Sequence, residues 1–290
     1  MTERNPIYVD DATILDHVAY AGNQYVLRLQ TPRIAQSALP GSFVHVRCDE
    51  RLPMRRPLSI MRTSPTEGWI ELLYRVVGEG TELLSRAVKG VSVSLIGPIG
   101  VPFEIDETRT LPLLIGGGVG VPPMVFLADV MRQAHKGLEP FVLMGSETPF
   151  PFRARPSQIM VHGMPAEVIA AMPLLEDWGI PSRLASLQGY AGCHEGYVTD
   201  LARLWLERLD ADALRRVTVF SCGPEPMLAA VARLARDYGL PCQVSLEEYM
   251  ACGIGGCAGC AVPIHTAEGV AMKRVCVDGP VFAAQTVFPG

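Results

Sequence analysis

The sequence predicts a chain of mixed α/β and β class in three parts: an antiparallel β-barrel, a parallel α/β domain and a small cysteine-rich module. Three observations predict these parts. Short segments rich in β-branched and aromatic residues fill roughly the first hundred positions, strand and helix patterns then alternate, and four of the eight cysteines lie within the last 39 residues. At about 150 residues per domain, 290 residues suffice for two domains and a small third. We place the boundaries at residues 1–106, 107–245 and 246–290.

The composition argues against two kinds of partner. The net charge is −5, so the chain has no basic field that would hold a nucleic acid. No run of 18 or more apolar residues occurs, so we expect no membrane-spanning segment. The first residues lack the basic and apolar regions of a secretory signal, so we expect a cytoplasmic protein whose cysteines stay reduced.

The barrel is predicted by strand-like segments that alternate with glycine-containing turns. Several of these segments show the period-two alternation of a half-buried strand. The segments are residues 7–9, 25–29, 42–47, 69–77 and 91–96. Many short strands at this spacing are typical of a small antiparallel barrel.

The α/β domain is predicted by a change of pattern near residue 107. Strand patterns lie at residues 111–115, 141–144, 217–221 and 242–245, and helical patterns lie at 124–135, 201–214 and 225–238. Strands that alternate with helices predict a parallel sheet with crossover helices. Two of the strand-to-helix connections are glycine-containing loops, at residues 116–123 and 222–224.

The cysteine-rich module contains the most specific motif of the sequence. Its four cysteines, Cys252, Cys257, Cys260 and Cys276, have the spacing C-x4-C-x2-C-x15-C. The first three match the opening of the plant-type ferredoxin loop, which holds a [2Fe-2S] cluster with four thiolates, and the fourth ligand there is also distant in sequence. A zinc ion also takes four thiolates, but zinc ribbons usually pair their cysteines as two short C-x2-C units. The spacing favours the cluster and leaves the zinc site as the alternative.

Two segments of the barrel have residue types that suit a flavin dinucleotide. In Arg55-Arg-Pro-Leu-Ser-Ile60, a guanidinium is able to bind a pyrophosphate, and a hydroxyl three residues later is able to face a flavin ring. In Tyr74-Arg-Val-Val-Gly-Glu-Gly-Thr81, a strand leads into a Gly-x-Gly-Thr turn that suits a phosphate. Taken alone, the first segment is more often a solvated turn and the second a plain hairpin.

The two loops of the α/β domain suit a second nucleotide. A glycine-rich loop between strand and helix directs backbone N–H groups and the helix dipole at a pyrophosphate. The loop at 116–123 does not match G-x-G-x-x-G, because Val121 stands three positions after Gly118. Cys222 also lies at the end of a strand, where open α/β sheets bind ligands, although a lone cysteine there is more often a small buried apolar residue.

Taken in order, these motifs resemble those of the ferredoxin reductase superfamily. The C-terminal motifs, Glu247-Glu-Tyr-Met-Ala-Cys-Gly-Ile-Gly255 and Val275-Cys-Val-Asp-Gly-Pro-Val-Phe282, resemble its dihydroorotate dehydrogenase electron transfer subunits in particular. The similarity runs nearly from end to end. It implies that the barrel binds FAD, that the α/β domain binds NAD(H), and that the last part is a ferredoxin-like [2Fe-2S] module.

The resemblance also implies a role for each matching residue. Arg56 would bind the FAD pyrophosphate and Ser59 would lie near flavin N5, with Pro57 and Leu58 between them. The other residues that it implies for FAD are Leu73, Tyr74, Arg75, Gly80 and Thr81. Those that it implies for the nicotinamide nucleotide are Gly116, Gly117, Gly118, Val119, Gly120, Cys222, Gly223 and Pro224. Ser59 and Cys222 are the expected catalytic residues, and the four cysteines of the module are the expected cluster ligands.

The sequence departs from the family pattern in two regions expected near the adenosine end of the nucleotide. One is residues 146–155, and the other is Leu187-Gln-Gly189, where the family usually has Asp-Gly-Ser. Glu147 suits a ribose and would repel a 2′-phosphate, whereas Arg153 or Arg155 would attract one. We expect NADH to be the cofactor.

The implied activity is electron transfer between NAD(H), FAD and the [2Fe-2S] cluster for an FMN-containing dihydroorotate dehydrogenase subunit. In that complex, which serves pyrimidine biosynthesis, dihydroorotate becomes orotate and NAD+ is reduced. One alternative is the same role in a sulfite reductase, a hydrogenase or a ferredoxin:NAD(P) oxidoreductase. A second, of another class, is a zinc-bearing binding module without redox activity.

Overall fold

The computed structural model describes residues 6–290, and their contacts divide them into two compact units. One unit contains the described residues up to 103 together with residues 246–281. The other contains residues 104–245 and 282–290. The cysteine module thus packs with the barrel, and the three-part division at 106 and 245 stays a prediction.

The first unit is built on a closed barrel of six antiparallel strands, in the order β1-β2-β5-β4-β3-β6. The strands are β1 (Tyr8–Tyr20), β2 (Gln24–Gln30), β3 (Phe43–Val46), β4 (Arg56–Ser64), β5 (Trp69–Arg75) and β6 (Ser92–Ile99). Alternate side chains such as Ile70 and Leu72 are fully buried inside, as the period-two pattern predicts. The predicted antiparallel barrel is therefore confirmed.

Two short helices, α1 (Pro32–Ser37) and α2 (Glu79–Ser85), join strands of the barrel. The sequence predicts a hairpin turn where α2 begins. The strand ends at Arg75 instead, and the Thr81 hydroxyl accepts hydrogen bonds from the backbone N–H groups of Val77 and Gly78. A hydroxyl that holds the chain before the first turn is a helix-starting feature, and it is easily read as a turn signal.

The second unit is a six-stranded sheet in the order β11-β8-β7-β12-β13-β16. These strands are β7 (Leu111–Gly117), β8 (Phe141–Gly145), β11 (Ser182–Ala185), β12 (Val217–Cys222), β13 (Cys242–Ser245) and β16 (Val281–Ala283). The pairs from β11 through to β13 are all parallel, as predicted. A separate two-stranded sheet is formed by β9 (Arg155–Pro156) and β10 (Ala170–Ala171).

The helices of the second unit are α3 (Val121–Ala134), α4 (Pro173–Asp177), α5 (Val198–Leu206), α6 (Ala211–Arg215), α7 (Glu225–Asp237) and α8 (Ala284–Val287). The sequence predicts one helix over 201–214, where the structure has α5 and α6. The Asp210 side chain accepts a hydrogen bond from the N–H of Ala213 and so starts a new helix. An N-cap residue inside an amphipathic stretch divides it.

The cysteine module consists of a loop followed by a hairpin of β14 (Ala261–Thr266) and β15 (Gly269–Arg274). Backbone hydrogen bonds fasten the chain after the hairpin. The N–H of Val101 donates to Gly279, and the N–H of Leu246 donates to Pro280. Within residues 6–290, no helix is both long and apolar enough to cross a membrane.

Candidate functional site

The hairpin explains the spacing between the third and fourth cysteines. Residue Ala261 pairs with Arg274 at the base of β14 and β15, so the chain leaves after Cys260 and returns just before Cys276. Their sulfur atoms lie 3.3 Å apart. The 15 intervening residues therefore bring a predicted ligand that is distant in sequence to the loop that carries the other three cysteines.

The other two thiols form a second pair. Burial alone would raise the pKa of Cys252, but backbone N–H groups of Ile254, Cys257 and Gly256, with the Cys257 thiol, outweigh it and lower the pKa to about 6. Burial, followed by the contact with Cys260, raises the pKa of Cys276 to about 12. The loop is therefore a cradle of N–H groups that favours a thiolate, the form of cysteine that binds a metal.

The arrangement in pairs agrees with the cluster that the spacing favours. One zinc ion needs its ligands around a single point, whereas each iron of a [2Fe-2S] cluster takes two thiolates. In the part of the chain that the structure describes, no group of three or more His, Cys, Asp or Glu side chains is placed to hold one metal ion. Two pairs of thiols, 252 with 257 and 260 with 276, fit a two-iron cluster.

Two glycines of the loop allow its backbone to fold tightly around the Cys252 sulfur. Gly253 and Gly255 have φ of +68° and +84°, which side chains rarely adopt. The guanidinium of Arg274 donates to the Gly255 carbonyl at 3.0 Å and pairs with Asp278 at 3.2 Å. The hairpin thus holds the loop in place through one arginine.

The predicted FAD residues Arg56, Pro57, Leu58 and Ser59 begin β4. Ser59 is paired with Phe43 of β3, and Pro57 is paired with His45. Directly opposed residues of antiparallel strands point to the same face, so Ser59 and Pro57 share the outer face of the barrel with Phe43 and His45. This is the face on which the cysteine module packs.

The predicted pyrophosphate residue Arg56 lies against the start of α2. A methyl group built on Gly80 would lie 3.0 Å from Arg56 Nε. The structure therefore brings together Arg56 and Gly80, two residues that the sequence predicts around the FAD phosphates. The Thr81 hydroxyl also donates to the Gly78 carbonyl at 3.0 Å, so it already stabilises the start of the helix.

The next predicted set, Leu73, Tyr74 and Arg75, does not share one environment. Leu73 and Tyr74 are buried, with 2% and 1% exposed, whereas Arg75 is exposed. The Tyr74 ring is stacked on Tyr25, with centroids 5.4 Å apart, and its hydroxyl lies 2.9 Å from Nε2 of His17. Nδ1 of His17 donates to the Ala87 carbonyl, so Nε2 accepts and Tyr74 donates.

The sequence reasoning missed His17. The sequence signal for His17 is a polar residue at an inward position of an alternating strand. This signal is weak as long as the strand register, which brings His17 near Tyr25 and Tyr74, is unknown. A role of Tyr74 towards the flavin stays a prediction, and its hydroxyl proton is already directed at His17.

The predicted nicotinamide residues lie at the carboxyl edge of the parallel sheet. Strand β7 has β8 on one side and β12 on the other, so the chain reverses its direction of strand addition at β7. Cys222 is paired with Gly116 at the ends of their strands. Ligands of open α/β sheets bind at such a switch point. The structure therefore brings together the 116–120 loop and the 222–224 loop.

The two loops touch through their backbones. A methyl group on Gly120 would lie 2.3 Å from the carbonyl carbon and oxygen of Cys222, and one on Gly117 would lie 2.4 Å from the sulfur of Met227. Only glycine permits this contact. Cys222 itself is 1% exposed and Pro224 is exposed, so the loop presents backbone and Pro224 at its surface.

The residues considered for cofactor choice also have defined places. Glu147 is exposed and follows β8 at the same edge of the sheet. Arg155 forms an ion pair with Asp177 and donates to the Pro173 carbonyl. Arg153 is exposed, as Glu147 is, and no ion pair found among residues 6–290 involves either residue, so both a carboxylate and a guanidinium are accessible in this region.

Comparisons with known proteins agree with this geometry. A family model described as the iron-sulfur cluster binding domain of dihydroorotate dehydrogenase B matches residues 247–288. The electron transfer subunit of dihydroorotate dehydrogenase B (NAD(+)) from Desulforamulus reducens is 34% identical over 285 residues, which is 96% of this chain and 98% of that protein. The subunit of the same name from Geobacillus sp. strain WCH70 is 33% identical, covering 96% and 98%.

Solved structures of similar fold include two reductases. The structure of an NADH-dependent reduced ferredoxin-NADP oxidoreductase matches with a TM-score of 0.75 at 26% identity, covering 96% of this chain and 90% of that chain. A ferredoxin reductase of carbazole 1,9a-dioxygenase matches with a TM-score of 0.63 at 19% identity, covering 81% and 67%. With the matches to the curated subunits, these findings lead to one conclusion. The chain belongs to the family of dihydroorotate dehydrogenase B electron transfer subunits.

Proposed function

We propose that this chain transfers electrons between NAD(H) and a separate catalytic subunit that converts dihydroorotate to orotate. The observation that carries the proposal is the set of two thiol pairs on the barrel face that also bears Ser59 and Pro57. A one-electron centre and a flavin-binding strand pair are then neighbours in one compact unit. Direct electron transfer between a flavin and an iron-sulfur cluster needs the two groups to lie close together.

The chain uses three cofactors, and each supplies a distinct step. NAD(H) exchanges two electrons as a hydride, an iron-sulfur cluster exchanges one electron, and FAD connects the two because it does both. The residues of this chain bind and orient these groups. Cys252, Cys257, Cys260 and Cys276 hold the cluster, while the loop N–H groups favour the thiolate of Cys252.

The residues proposed for FAD are those that begin β4 and α2. Arg56 neutralises the pyrophosphate beside Gly80, whose missing side chain leaves room for the guanidinium. Ser59, half-buried on the outer barrel face, supplies a hydroxyl towards the flavin ring. Leu73, Tyr74 and Arg75 complete the site, with Tyr74 held through His17.

The residues proposed for NAD(H) are the two loops at the switch point of the sheet. Gly116 to Gly120 present backbone N–H groups at the start of α3, where an anion is stabilised. Cys222, Gly223 and Pro224 form the opposite wall, and Cys222 places its loop through the contact with Gly120. Glu147 favours NADH, because a 2′-phosphate would meet a carboxylate there.

The partner is proposed to be an FMN-containing dihydroorotate dehydrogenase subunit, joined to this chain in a hetero-oligomer. The described residues offer no feature that we assign to a second flavin or to orotate, so pyrimidine chemistry is placed on that partner. Because the cluster loop needs free thiols, we place the complex in the cytoplasm, where a reducing environment keeps them available.

The partner docks at the exposed edge of the cluster loop. Tyr249 is 94% exposed and Ile254 is 51% exposed, and Cys257 is exposed between them and the hairpin. Aromatic and aliphatic side chains held at a surface are typical anchors of an interface. Docking there brings the partner to the cluster rather than to the flavin.

The proposal is tested by reconstitution of the complex. This chain and a dihydroorotate dehydrogenase catalytic subunit, mixed anaerobically, should reduce NAD+ with dihydroorotate, whereas neither protein should do so alone. Orotate formation by this chain without a partner would contradict the division of labour. If the pair is inactive but this chain reduces a sulfite reductase, a hydrogenase or a ferredoxin with NAD(P)H, the alternative complexes are favoured.

A further inference from the structure

His45 is the most completely buried ionisable side chain without a hydrogen-bond partner among residues 6–290. Its exposure is 0%, and neither Nδ1 nor Nε2 has a partner within hydrogen-bond geometry. A buried ring nitrogen without a hydrogen-bond partner destabilises the folded protein. An apolar side chain of similar volume would fill the position without that cost, so the imidazole requires an explanation.

The position of His45 is determined by the barrel. It lies on β3, paired with Pro57 of β4, and on β6 it is paired with Ile96 next to an irregularity in the register. Val44 and Val46 fill the barrel interior, so Phe43 and His45 point outward. The cysteine module covers this outward face, which is why all four residues of β3 are buried.

The cluster loop fits closely against the imidazole. A methyl group built on Gly253 would lie 2.8 Å from His45 Nδ1, and Gly253 has a φ of +68°. Gly253 directly follows the cluster ligand Cys252. The loop backbone therefore lies so close to the imidazole at Gly253 that no side chain fits between them. Gly253 is the residue next to the proposed thiolate ligand Cys252.

Burial and two nearby arginines disfavour the protonated form of His45. Burial lowers its pKa most, and Arg55 and Arg56 lower it further, while the backbone of Met250 and Cys252 acts in the opposite direction. The 250–252 segment therefore lies beside the imidazole, although neither ring nitrogen has a hydrogen-bond partner there. A neutral ring retains one N–H, which is available for that segment.

We propose that His45 is a positioning residue for the iron-sulfur cluster: its buried ring, with Nδ1 against Gly253, supports the loop and thereby places Cys252, and its N–H is available to the loop and its cluster. This role of His45 rests on the proposed function. It gives a second role to the pair of strands β3 and β4, which carries predicted FAD residues. An N–H dipole directed at the loop stabilises the added electron and raises the reduction potential of the cluster.

The variants His45→Leu and His45→Met remove the N–H and keep the volume, whereas His45→Gln retains a donor. Phe43→Leu is the matched control, because it changes the other outward side chain of β3 without removing a polar group. Each full-length protein is loaded with FAD and cluster, its iron content is measured, and the cluster is titrated with a reductant under electron paramagnetic resonance.

In His45→Leu and His45→Met, the ratio of reduced to oxidised cluster at a fixed potential should fall by about tenfold, which is 59 mV for one electron. His45→Gln should recover most of this change, and Phe43→Leu should not show it. A potential in the folded apolar variants equal to that of the unaltered protein would overturn the proposal.

Two other outcomes are also decisive. If both apolar variants fail to fold, His45→Gln decides: a ratio of reduced to oxidised cluster that falls by the full tenfold although the donor is retained would show that the N–H does not set the potential, and the proposal would be wrong. If the unaltered protein binds no iron, the proposed function fails first, and iron analysis distinguishes that failure from an unchanged potential.

Discussion

At the scale of single residues, the loop glycines are the positions where geometry constrains the sequence most. Gly253 combines a positive φ with a would-be methyl contact of 2.8 Å to His45, whereas Gly256 has neither a positive φ nor an atom within 4 Å of such a methyl. The two glycines lie three residues apart in one loop. They therefore form a natural pair of test and control.

Gly253→Ala should lower the iron content per chain and decrease the free energy of unfolding by about 1–2 kcal/mol, because alanine is strained at this φ. Gly256→Ala should leave both quantities close to those of the unaltered protein. Iron analysis and urea unfolding measure the two effects. Equal effects of the two substitutions would contradict the close fit of the loop against His45.

Two cysteines outside the module should be inert. Burial raises the pKa of Cys48 to about 11 and that of Cys242 to about 12. The thiolate is the reactive form, so at pH 8 only about one Cys48 thiol in a thousand is ionised. Alkylation of both by iodoacetamide should be very slow at pH 8 and should accelerate as the pH increases towards 11 and 12. Peptide mass spectrometry measures this, and rapid labelling at pH 8 in the folded protein would contradict it.

At the scale of elements, the hairpin of β14 and β15 delivers the fourth ligand, and Arg274 fastens it to the loop. Its guanidinium reaches both the Gly255 carbonyl and Asp278. The neighbouring Lys273 is paired with Val262 and lies on the opposite face of the hairpin. The pair again supplies a test and a control of similar size.

Arg274→Met should accelerate loss of iron to a chelator by about tenfold, because an interaction that orients a ligand loop typically contributes that much to metal affinity. Lys273→Met should not. Absorbance of the cluster, followed over time in the presence of the chelator, measures the rate. The same rate for both variants would show that Arg274 does not hold the loop.

The contact between the 116–120 and 222–224 loops is a second element-scale feature. Gly120→Ala would place a methyl group 2.3 Å from the Cys222 backbone and should separate the loops. NADH-dependent reduction of FAD should then slow by about a hundredfold, with FAD and iron contents unchanged. Gly137→Ala is the control, since a methyl there meets no atom within 4 Å. Stopped-flow absorbance checks the rate, and an unimpaired Gly120→Ala would contradict the assignment of the loops.

The sequence predicted most of the features that depend on residues close together in the chain, such as strands, glycine-rich loops and the cysteine spacing. The C-x4-C-x2-C-x15-C spacing predicted four cysteines that the structure brings together as two pairs, and the strand patterns predicted barrel and sheet. The hairpin between Cys260 and Cys276 was not predicted, because β15 is largely exposed and lacks a buried stripe. The helix at 79–85 was read as a turn, because glycines and a threonine also favour turns.

Other features depend on register, which no local pattern encodes. The surroundings of His45 and His17 depend on strand pairing: His45 is paired with Pro57 on β4, and the ring of His17 lies near the stacked pair of Tyr25 and Tyr74. The contact of Gly120 with Cys222 likewise joins positions about a hundred residues apart through the pairing of β7 with β12. Long-range pairing of this kind has to be seen in the structure.

At the scale of the whole molecule, the exposed edge of the cluster loop should determine assembly. Tyr249→Ala and Ile254→Ala should each weaken binding of the catalytic subunit by about tenfold or more, as loss of an interface anchor does. Both variants should still pass electrons from NADH to an artificial acceptor. Met160→Ala is the control, because Met160 is 95% exposed in the other unit. Isothermal titration measures the affinity, and unchanged binding in both variants would move the docking surface elsewhere.

We expect this single chain to carry electrons from NADH through FAD to a [2Fe-2S] cluster held by Cys252, Cys257, Cys260 and Cys276. An anaerobic titration of the purified chain with NADH, followed by visible absorbance and electron paramagnetic resonance, tests this directly. NADH should bleach FAD and the cluster and give the signal of one reduced [2Fe-2S] cluster per chain. A colourless protein that contains zinc, or a coloured one that NADH does not reduce, would contradict this expectation.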